Sequence, residues 1–200
     1  FVCDIRRDHM KVKRWIRFLL MIKINMGCGW RNFGSDWVHI DGGDYDHLDH
    51  KSIFDLSQYE DNSVDLIYAS HVVEYFNRKE VIPLLTEWAR VLKNGGILRL
   101  AVPNFAPMAK LYSEGKYGVE AFVGLLYGQM PMGDQTIYHR TVYDFDSLKN
   151  VLESVGLSDV QKYDWRETEH GKFDDHSQAY LPHMDKENGI LMSLNIEATK

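Results

Sequence analysis

Residues 21–43, MIKINMGCGWRNFGSDWVHIDGG, contain the pattern that decides the fold. An apolar run over residues 21–26 stops at Gly27 and Gly29, which predicts a buried strand leaving a sheet through a glycine turn. The next apolar run, WVHI, stops at Asp41. Two buried strands joined through a glycine turn indicate an open α/β sheet, in which ligands bind beyond the carboxyl ends of the strands.

The rest of the chain continues the alternation of strands and helices. Asn77 and Glu80 predict a capping box at the start of a helix, and Gly95 with Gly96 predicts its end. Residues 104–143 interrupt the alternation and are rich in Tyr, Gly and Met, so we expect a lid there. Further strands are predicted at 50–54, 63–70, 97–102, 159–165 and 192–199, and a second helix at 144–155.

Composition excludes several classes of protein. The 200 residues are 44% hydrophobic and 26% charged, which excludes a disordered or low-complexity chain. The 23 Lys and Arg against 29 Asp and Glu give a net charge of −6, which disfavours sequence-independent nucleic-acid binding. Cys3 and Cys28 form no disulfide framework, so a reducing cytoplasm is expected. No apolar run reaches the roughly 18 residues of a membrane span.

Residues 1–20 differ from the remainder in charge. Six basic and two acidic residues give them +4, against −10 for the rest of the chain. One interpretation is a basic amphipathic helix that contacts a membrane surface or an acidic partner. The interpretation we favour is an extension that packs on the domain or is not native to it. We therefore predict a single domain over residues 21–200.

The acidic residues that end the predicted strands indicate a nucleoside ligand. A carboxylate at Asp41 can accept hydrogen bonds from both ribose hydroxyls, and Asp55 is placed to meet an adenine amino group. Asn32 occupies the position of the third glycine in the dinucleotide fingerprint, and the Lys and Ser/Thr of a phosphate loop are absent. A nucleoside without a pyrophosphate therefore fits better.

Together these motifs resemble the class I S-adenosylmethionine-dependent methyltransferases, and in particular a compact bacterial branch. The matching stretches are residues 24–29 (INMGCG), 37–41 (WVHID), 61–76 (DNSVDLIYASHVVEYF) and 87–105 (EWARVLKNGGILRLAVPNF), with a later one within 127–156. The resemblance implies a Rossmann-like fold with a mainly parallel seven-stranded sheet, an antiparallel last strand, a shortened first helix and a lid at 104–143.

The resemblance also implies a cofactor, S-adenosyl-L-methionine, and its product, S-adenosyl-L-homocysteine; a metal is not expected. The implied cofactor contacts are Gly27, Cys28 and Gly29 at the methionine, Asp41 and Gly42 at the ribose, Asp55 and Leu56 at the adenine, Ser70 and His71 under the methionine and methyl group, and Glu74 at the methionine amino group. Helix capping is the alternative role for Glu74.

Two histidines are candidates for catalysis. His71 is the titratable residue nearest the predicted methyl group, and His139 follows the lid, where a histidine can deprotonate an acceptor hydroxyl. A purely structural hydrogen bond is the alternative for each. Arg140 would hold an anionic acceptor or pair with an acidic neighbour. The acidic and histidine runs at 44–50 and 170–183 are interpreted as loop charge, with a metal site as the alternative for each.

The expected reaction is methylation of a small molecule or saccharide precursor. We expect the methylated atom to be oxygen, with nitrogen as the second choice. The branch carries a Glu-His pair where this chain has Glu74 and Tyr75, which leaves open a protein that binds S-adenosylmethionine or S-adenosylhomocysteine without catalysis, as a sensor or partner subunit. A nicotinamide-dependent oxidoreductase is disfavoured by the broken glycine fingerprint. Neither the acceptor nor the oligomeric state follows from the sequence.

Overall fold

The computed structural model describes residues 21–200, so the predicted extension at 1–20 lies outside the described residues. The strands are β1 (Lys23–Met26), β2 (Val38–Ile40), β3 (Val64–Ser70), β4 (Leu92–Pro103), β5 (Met130–Met132), β6 (Gln135–Ile137), β7 (Ser158–Lys162), β8 (Tyr180–Leu181), β9 (Ile190–Leu191) and β10 (Ser193–Thr199). The α-helices are α1 (Val81–Val91), α2 (Phe105–Ser113), α3 (Val123–Tyr127) and α4 (Phe145–Ser154), with 3-10 turns at Val73–Tyr75, Val119–Ala121, Trp165–Glu167 and His176–Gln178.

The main sheet has six strands in the order β2-β1-β3-β4-β10-β7. Strands β1 to β4 pair in parallel, while β10 runs antiparallel to both β4 and β7. The predicted α/β fold with a mainly parallel sheet and an antiparallel last strand is confirmed. The reversal of order between β1 and β3 creates the crevice in which open α/β sheets bind ligands.

The predicted count of seven strands is wrong by one among the described residues. The expected strand at 50–54 is reduced to a single bridge between His50 and Ile40. The carbonyl of Ile53 instead accepts a hydrogen bond of 2.8 Å from the indole of Trp88 on α1. The carbonyl of Ile53 is therefore hydrogen-bonded to a helix side chain and not to a neighbouring strand.

The shortened first helix expected between β1 and β2 is also absent, because residues 27–37 form turns. Asn32 accepts from the N–H of Gly34 through its side chain, and Trp37 donates its N–H to the carbonyl of Gly34. Phe33 and Trp37 are buried and pack against Tyr68 of β3. An aromatic cluster therefore covers the sheet where a helix was expected.

The two faces of the sheet are covered differently. Helices α1 and α4 bury their apolar sides on one face, where Trp88 and Leu152 join a continuous core with Ile67 of β3. The other face carries the aromatic cluster, which includes His170 stacked on Tyr68 with ring centroids 3.8 Å apart. The sheet is thus buried on both sides, as a parallel sheet requires.

Helix α1 begins and ends one turn away from the predicted positions. Asn77 and Glu80 do form reciprocal side-chain to backbone hydrogen bonds, of 3.1 Å each, but in the turn before α1. The prediction that Gly95 and Gly96 end this helix is wrong. The chain is already extended at Leu92, which pairs with Val64, and Gly95 takes a φ of +81° at an irregularity of β4.

The predicted lid segment, residues 104–143, contains α2, α3 and the β5–β6 hairpin. Met108 and Phe122 form a small core with Met192, separate from the core of the sheet. The segment returns to the sheet at Arg140 and Thr141, whose N–H groups both donate to the carbonyl of Glu74. Among residues 21–200, no helix has the length and apolar character that a membrane crossing requires.

Candidate active site

A cavity of about 780 Å³ opens at the carboxyl ends of β1 and β3. Its volume lies within the range of small-molecule sites, roughly 300–1,000 Å³. A second cavity of about 70 Å³ adjoins it beside Asp41 and Gly42. Gly27, His71 and Tyr75 line both cavities, so the two form neighbouring parts of one crevice.

The two glycines of the turn have different roles. Both have positive φ, +65° at Gly27 and +56° at Gly29. A Cβ atom at Gly27 would lie 2.3 Å from the side chain of Val72, whereas one at Gly29 would meet nothing within 4 Å. Gly27 is therefore required for packing beneath the turn, and Gly29 leaves open space on the cavity side.

Asp41 ties the glycine turn to the loop after β2. Its buried carboxylate accepts from the N–H of Gly29 at 2.8 Å and from the N–H of Gly43 at 2.7 Å. Each carboxylate oxygen can accept a further hydrogen bond. The side chain lines the smaller cavity, where it can receive the two hydroxyls of a ribose.

Glu74 lies at the centre of a buried group of titratable side chains. Its Oε1 is 3.5 Å from Nδ1 of His71 and 3.8 Å from Nε2 of His139. Neither carboxyl oxygen has a hydrogen-bond partner among residues 21–200. Burial raises the pKa of Glu74 to about 8, so the carboxyl is largely protonated at neutral pH.

The two candidate histidines are held as neutral imidazoles. Burial, followed by the neighbouring His176 and His139, lowers the pKa of His71 well below its usual value. Burial also lowers the pKa of His139. Nδ1 of His139 lies 3.0 Å from the carbonyl of Leu125, which can only accept, so Nδ1 carries the proton. Nε2 is left with a free lone pair.

His139 also depends on Gly128 for its position. A Cβ atom at Gly128 would lie 2.4 Å from Nε2 of His139. The ring of Tyr75 packs edge-on against the imidazole, with centroids 4.6 Å apart. Burial, followed by the charge of Glu74, raises the pKa of Tyr75 to about 12, so its hydroxyl stays protonated.

The structure separates the residues of the 170–183 run. His176 lines the main cavity with its ring 5.1 Å from that of His71. His170 is buried in the aromatic cluster, where desolvation lowers its pKa to about 3. No group of three or more metal-ligating side chains comes together within residues 21–200. The site role of His176 was not predicted, because only the fold brings it beside His71.

Several predicted site residues lie outside the cavity walls. Asp55 is exposed and accepts from the N–H of Ser57, and Leu56 is fully buried in the main core. Neither of them lines either of the two cavities described above, whereas the nearby Ile53 lines the smaller one. The adenine role of Asp55 and Leu56 stays a prediction.

Cys28 and Arg140 are also not among the residues that line the two cavities. Cys28 is buried with its sulfur 3.7 Å from Nε2 of His47, and desolvation raises its pKa to about 12, so the thiol is protonated. Arg140 forms an ion pair of 3.1 Å with Glu80, which is one of the two roles expected for it.

Known proteins support the same fold and class. A family profile described as "Methyltransferase domain" matches residues 39–100, from β2 into β4. No curated protein matches the chain significantly. The profile match, together with the fold, supports a class I S-adenosylmethionine-dependent methyltransferase. The cofactor of the methyltransferase is S-adenosylmethionine, and its product is S-adenosylhomocysteine.

Solved structures with the same fold include distant relatives. A SAM-dependent methyltransferase from Archaeoglobus fulgidus shares 14% identity with a TM-score of 0.53, over 98% of this chain and 94% of that chain. A SAM-dependent methyltransferase from Methanosarcina mazei shares 18% sequence identity with a TM-score of 0.52, over 89% of this chain and 91% of that chain. A third structure is the 1,6-didemethyltoxoflavin-N1-methyltransferase of Burkholderia thailandensis with bound 1,6-didemethyltoxoflavin and S-adenosylhomocysteine. It shares 11% sequence identity with a TM-score of 0.52, over 96% of this chain and 83% of that chain. At these identities the likeness establishes the fold of the methyltransferase.

The residues around the crevice of the methyltransferase fit this cofactor. Nδ2 of Asn25, Oγ of Ser70 and Nε2 of His71 are buried, and none has a hydrogen-bond partner in the described part of the chain. Ser70 and His71 line the main cavity, and Asn25 lies on β1 two residues before Gly27. Buried polar groups are normally paired, so these atoms are available to the polar amino-acid end of a ligand.

Proposed function

We propose that the methyltransferase transfers a methyl group to a hydroxyl of a small-molecule acceptor, with His139 as the general base. One observation carries the proposal: His139 lines the main cavity, and its unprotonated Nε2 lies beside the buried carboxyl of Glu74. Such a nitrogen, with a pKa below that of free histidine, is ready to accept a proton at neutral pH.

The cofactor contacts belong to the same proposal. Asp41 and Gly42 bind the ribose, and the turn from Gly27 to Gly29 receives the methionine portion. Ser70 and His71 offer unpaired polar atoms beneath it. The apolar walls of the smaller cavity accommodate the adenine, and they are formed in part by Ile53, Phe76 and Ile137.

When bound, the cofactor supplies a methyl group activated by a positively charged sulfur. The acceptor oxygen forms a bond to the methyl carbon as the bond from carbon to sulfur breaks, and the electron pair of that bond stays on sulfur. His139 takes the hydroxyl proton at Nε2. Oε1 of Glu74 lies 3.8 Å from this nitrogen, where it can accept a hydrogen bond from the resulting imidazolium.

We also propose that residues 104–143 act as the lid over this site. Leu125, Gly128 and His139 all line the main cavity, and His139 is held from within the segment through Leu125. Closure of such a segment excludes water and completes the site. A cytoplasmic location belongs to the proposal too, because the free thiol of Cys28 suits a reducing compartment.

A second candidate is a protein that binds the cofactor or its product without transferring methyl. The observation that favours it is Tyr75, whose protonated phenol stands where the family branch has a histidine. This candidate shares the cofactor site with the first and differs only in turnover.

Methyl transfer from radiolabelled S-adenosylmethionine to a panel of acceptors tests the proposal. The panel contains phenols, hydroxylated heterocycles, hydroxy acids and nucleotide sugars, together with amines as the nitrogen controls. Labelling of a hydroxyl compound, lost in His139→Ala, is the expected result. Binding of S-adenosylhomocysteine without labelling of any acceptor would favour the second candidate, and labelling of amines alone would exclude O-methylation.

A further inference from the structure

We propose that the acceptor carries an anionic group, a carboxylate or a phosphate, and that Arg31 binds it. The inference rests on the proposed function, because it concerns the acceptor side of the same cavity. Arg31 follows the glycine turn and lines the main cavity together with Trp30. Arg31 is available to an anionic ligand only if no carboxylate in that cavity already neutralises its charge.

The carboxylates in the wall of the main cavity are both engaged. Asp174 forms an ion pair of 2.8 Å with Lys186. Asp175 accepts from the hydroxyl of Tyr68 at 2.6 Å and from the N–H of Ser177 at 2.8 Å. Neither carboxylate is therefore committed to the guanidinium of Arg31.

Arg31 itself is held in place but not neutralised. Its Nε donates to the backbone carbonyl of Asp174 at 2.9 Å, and its guanidinium carbon lies 4.8 Å from the ring centroid of Trp30. Its two terminal nitrogens have no ion-pair or hydrogen-bond partner within residues 21–200. The positive charge of Arg31 acts on the cavity, since after burial and the nearby histidines it contributes to the lowered pKa of His71.

A positioned guanidinium with two free donor nitrogens matches the geometry of a carboxylate or phosphate, which it binds through paired hydrogen bonds. The rest of the wall is suited to a different part of the acceptor. Apolar side chains from the lid and from the segment before β10 lie around the same cavity: Ala121, Leu125, Met130, Leu181 and Met192. The acceptor class is therefore an acid with an apolar ring or chain, which also bears the hydroxyl to be methylated.

Binding of small probes to the protein saturated with S-adenosylhomocysteine tests the proposal. We expect benzoate and phenyl phosphate to bind at least about tenfold more tightly than benzyl alcohol, their neutral analogue, in an NMR titration. Arg31→Gln should remove this preference, and Arg31→Lys should retain part of it. Arg78→Gln is the matched control, because Arg78 is an exposed arginine outside both cavities.

The affinity for S-adenosylhomocysteine separates the possible failures. The proposal predicts that Arg31→Gln leaves this affinity within about threefold. If Arg31→Gln instead weakens S-adenosylhomocysteine but not 5′-methylthioadenosine, which has no carboxylate, Arg31 binds the cofactor and the proposal is overturned. Equal binding of benzoate and benzyl alcohol overturns it as well. Failure of the parent protein to bind S-adenosylhomocysteine would overturn the proposed function, and this inference with it.

Discussion

Nε2 of His139, a residue that lines the main cavity, lies 3.8 Å from Oε1 of the buried Glu74. Glu74 belongs to the turn after β3, and His139 ends the segment proposed as a lid. The pair therefore joins the rigid sheet edge to the lid. The backbone reinforces this junction, since the carbonyl of Glu74 accepts from the N–H groups of Arg140 and Thr141.

His139→Ala should separate catalysis from cofactor binding. If His139 is the general base, turnover falls about 100-fold or more, while the affinity for S-adenosylhomocysteine changes by less than about threefold, below about 1 kcal/mol. Steady-state kinetics and calorimetry measure the two quantities. Tyr138→Phe, at an exposed neighbour, is the control. Equal losses in both quantities would make His139 a structural residue, and unchanged turnover would remove it from the site.

The buried carboxyl of Glu74 should make stability depend on pH above neutrality. Its pKa is raised from 4.5 to about 8 in the folded protein, so the folded state holds a proton that the unfolded state has released. Its contribution to stability is therefore complete below the unfolded pKa and is lost as pH rises toward 8. We expect the contribution of Glu74 to the free energy of unfolding in urea to fall between pH 7 and pH 8.

Glu74→Gln should remove that slope, because the amide does not titrate. Histidines with lowered folded pKa values, including His71 and His139, act in the opposite direction, because they bind protons mainly in the unfolded state. The comparison of Glu74→Gln with the parent cancels their contribution. Glu114→Gln, at a surface carboxyl, should keep the parent profile. Parallel profiles of the parent and Glu74→Gln between pH 7 and pH 8 would show that Glu74 is ionised in the folded protein.

Asp41→Ala should weaken the binding of S-adenosylhomocysteine by roughly 2–4 kcal/mol, because it removes two hydrogen bonds to a charged acceptor. Asp41→Asn should weaken the binding of S-adenosylhomocysteine more than the loss of a ribose contact alone would. The parent carboxylate accepts from both Gly29 and Gly43, so an amide turns one donor toward an N–H. Asp44→Ala, at an exposed carboxylate of the same loop, should bind normally. Parent-like affinity in a folded Asp41→Ala protein would move the ribose site elsewhere.

Alanine at the two turn glycines should have unequal effects. Gly29→Ala adds left-handed strain in open space, which costs about 1–2 kcal/mol of unfolding free energy. Gly27→Ala adds the same strain together with a contact of 2.3 Å on Val72, and overpacking costs roughly a further 1–3 kcal/mol. Urea denaturation of both variants gives the comparison. Equal losses would show that Val72 moves aside freely.

The sequence predicted the parts of the fold that depend on local pattern. The strand before Gly27, the acidic residue at Asp41 and the helix predicted at 144–155 all follow from periodicity and from residues with specific backbone roles. The turn at residues 27–37 was not predictable in the same way. Phe33 and Trp37 are buried there by contacts with Tyr68, which is distant in sequence.

The candidate site also combines residues that local sequence predicts with residues that only the fold brings together. Its glycines and Asp41 are recognisable because their spacing is local. Arg31 and His176 enter the cavity from segments more than 140 residues apart in the chain, joined by the hydrogen bond from Arg31 to Asp174. The end of α1 was mispredicted for a related reason, because pairing of Leu92 with Val64 competes with the local glycine signal.

Titration of the protein with S-adenosylhomocysteine and with NAD in a calorimeter tests the central assignment most directly. A ligand that binds only the folded state also raises the melting temperature. The account predicts saturable binding of S-adenosylhomocysteine, a rise in melting temperature, and loss of both in Asp41→Ala, with no response to NAD. No heat and no thermal shift at millimolar S-adenosylhomocysteine, or tighter binding of NAD, would contradict it.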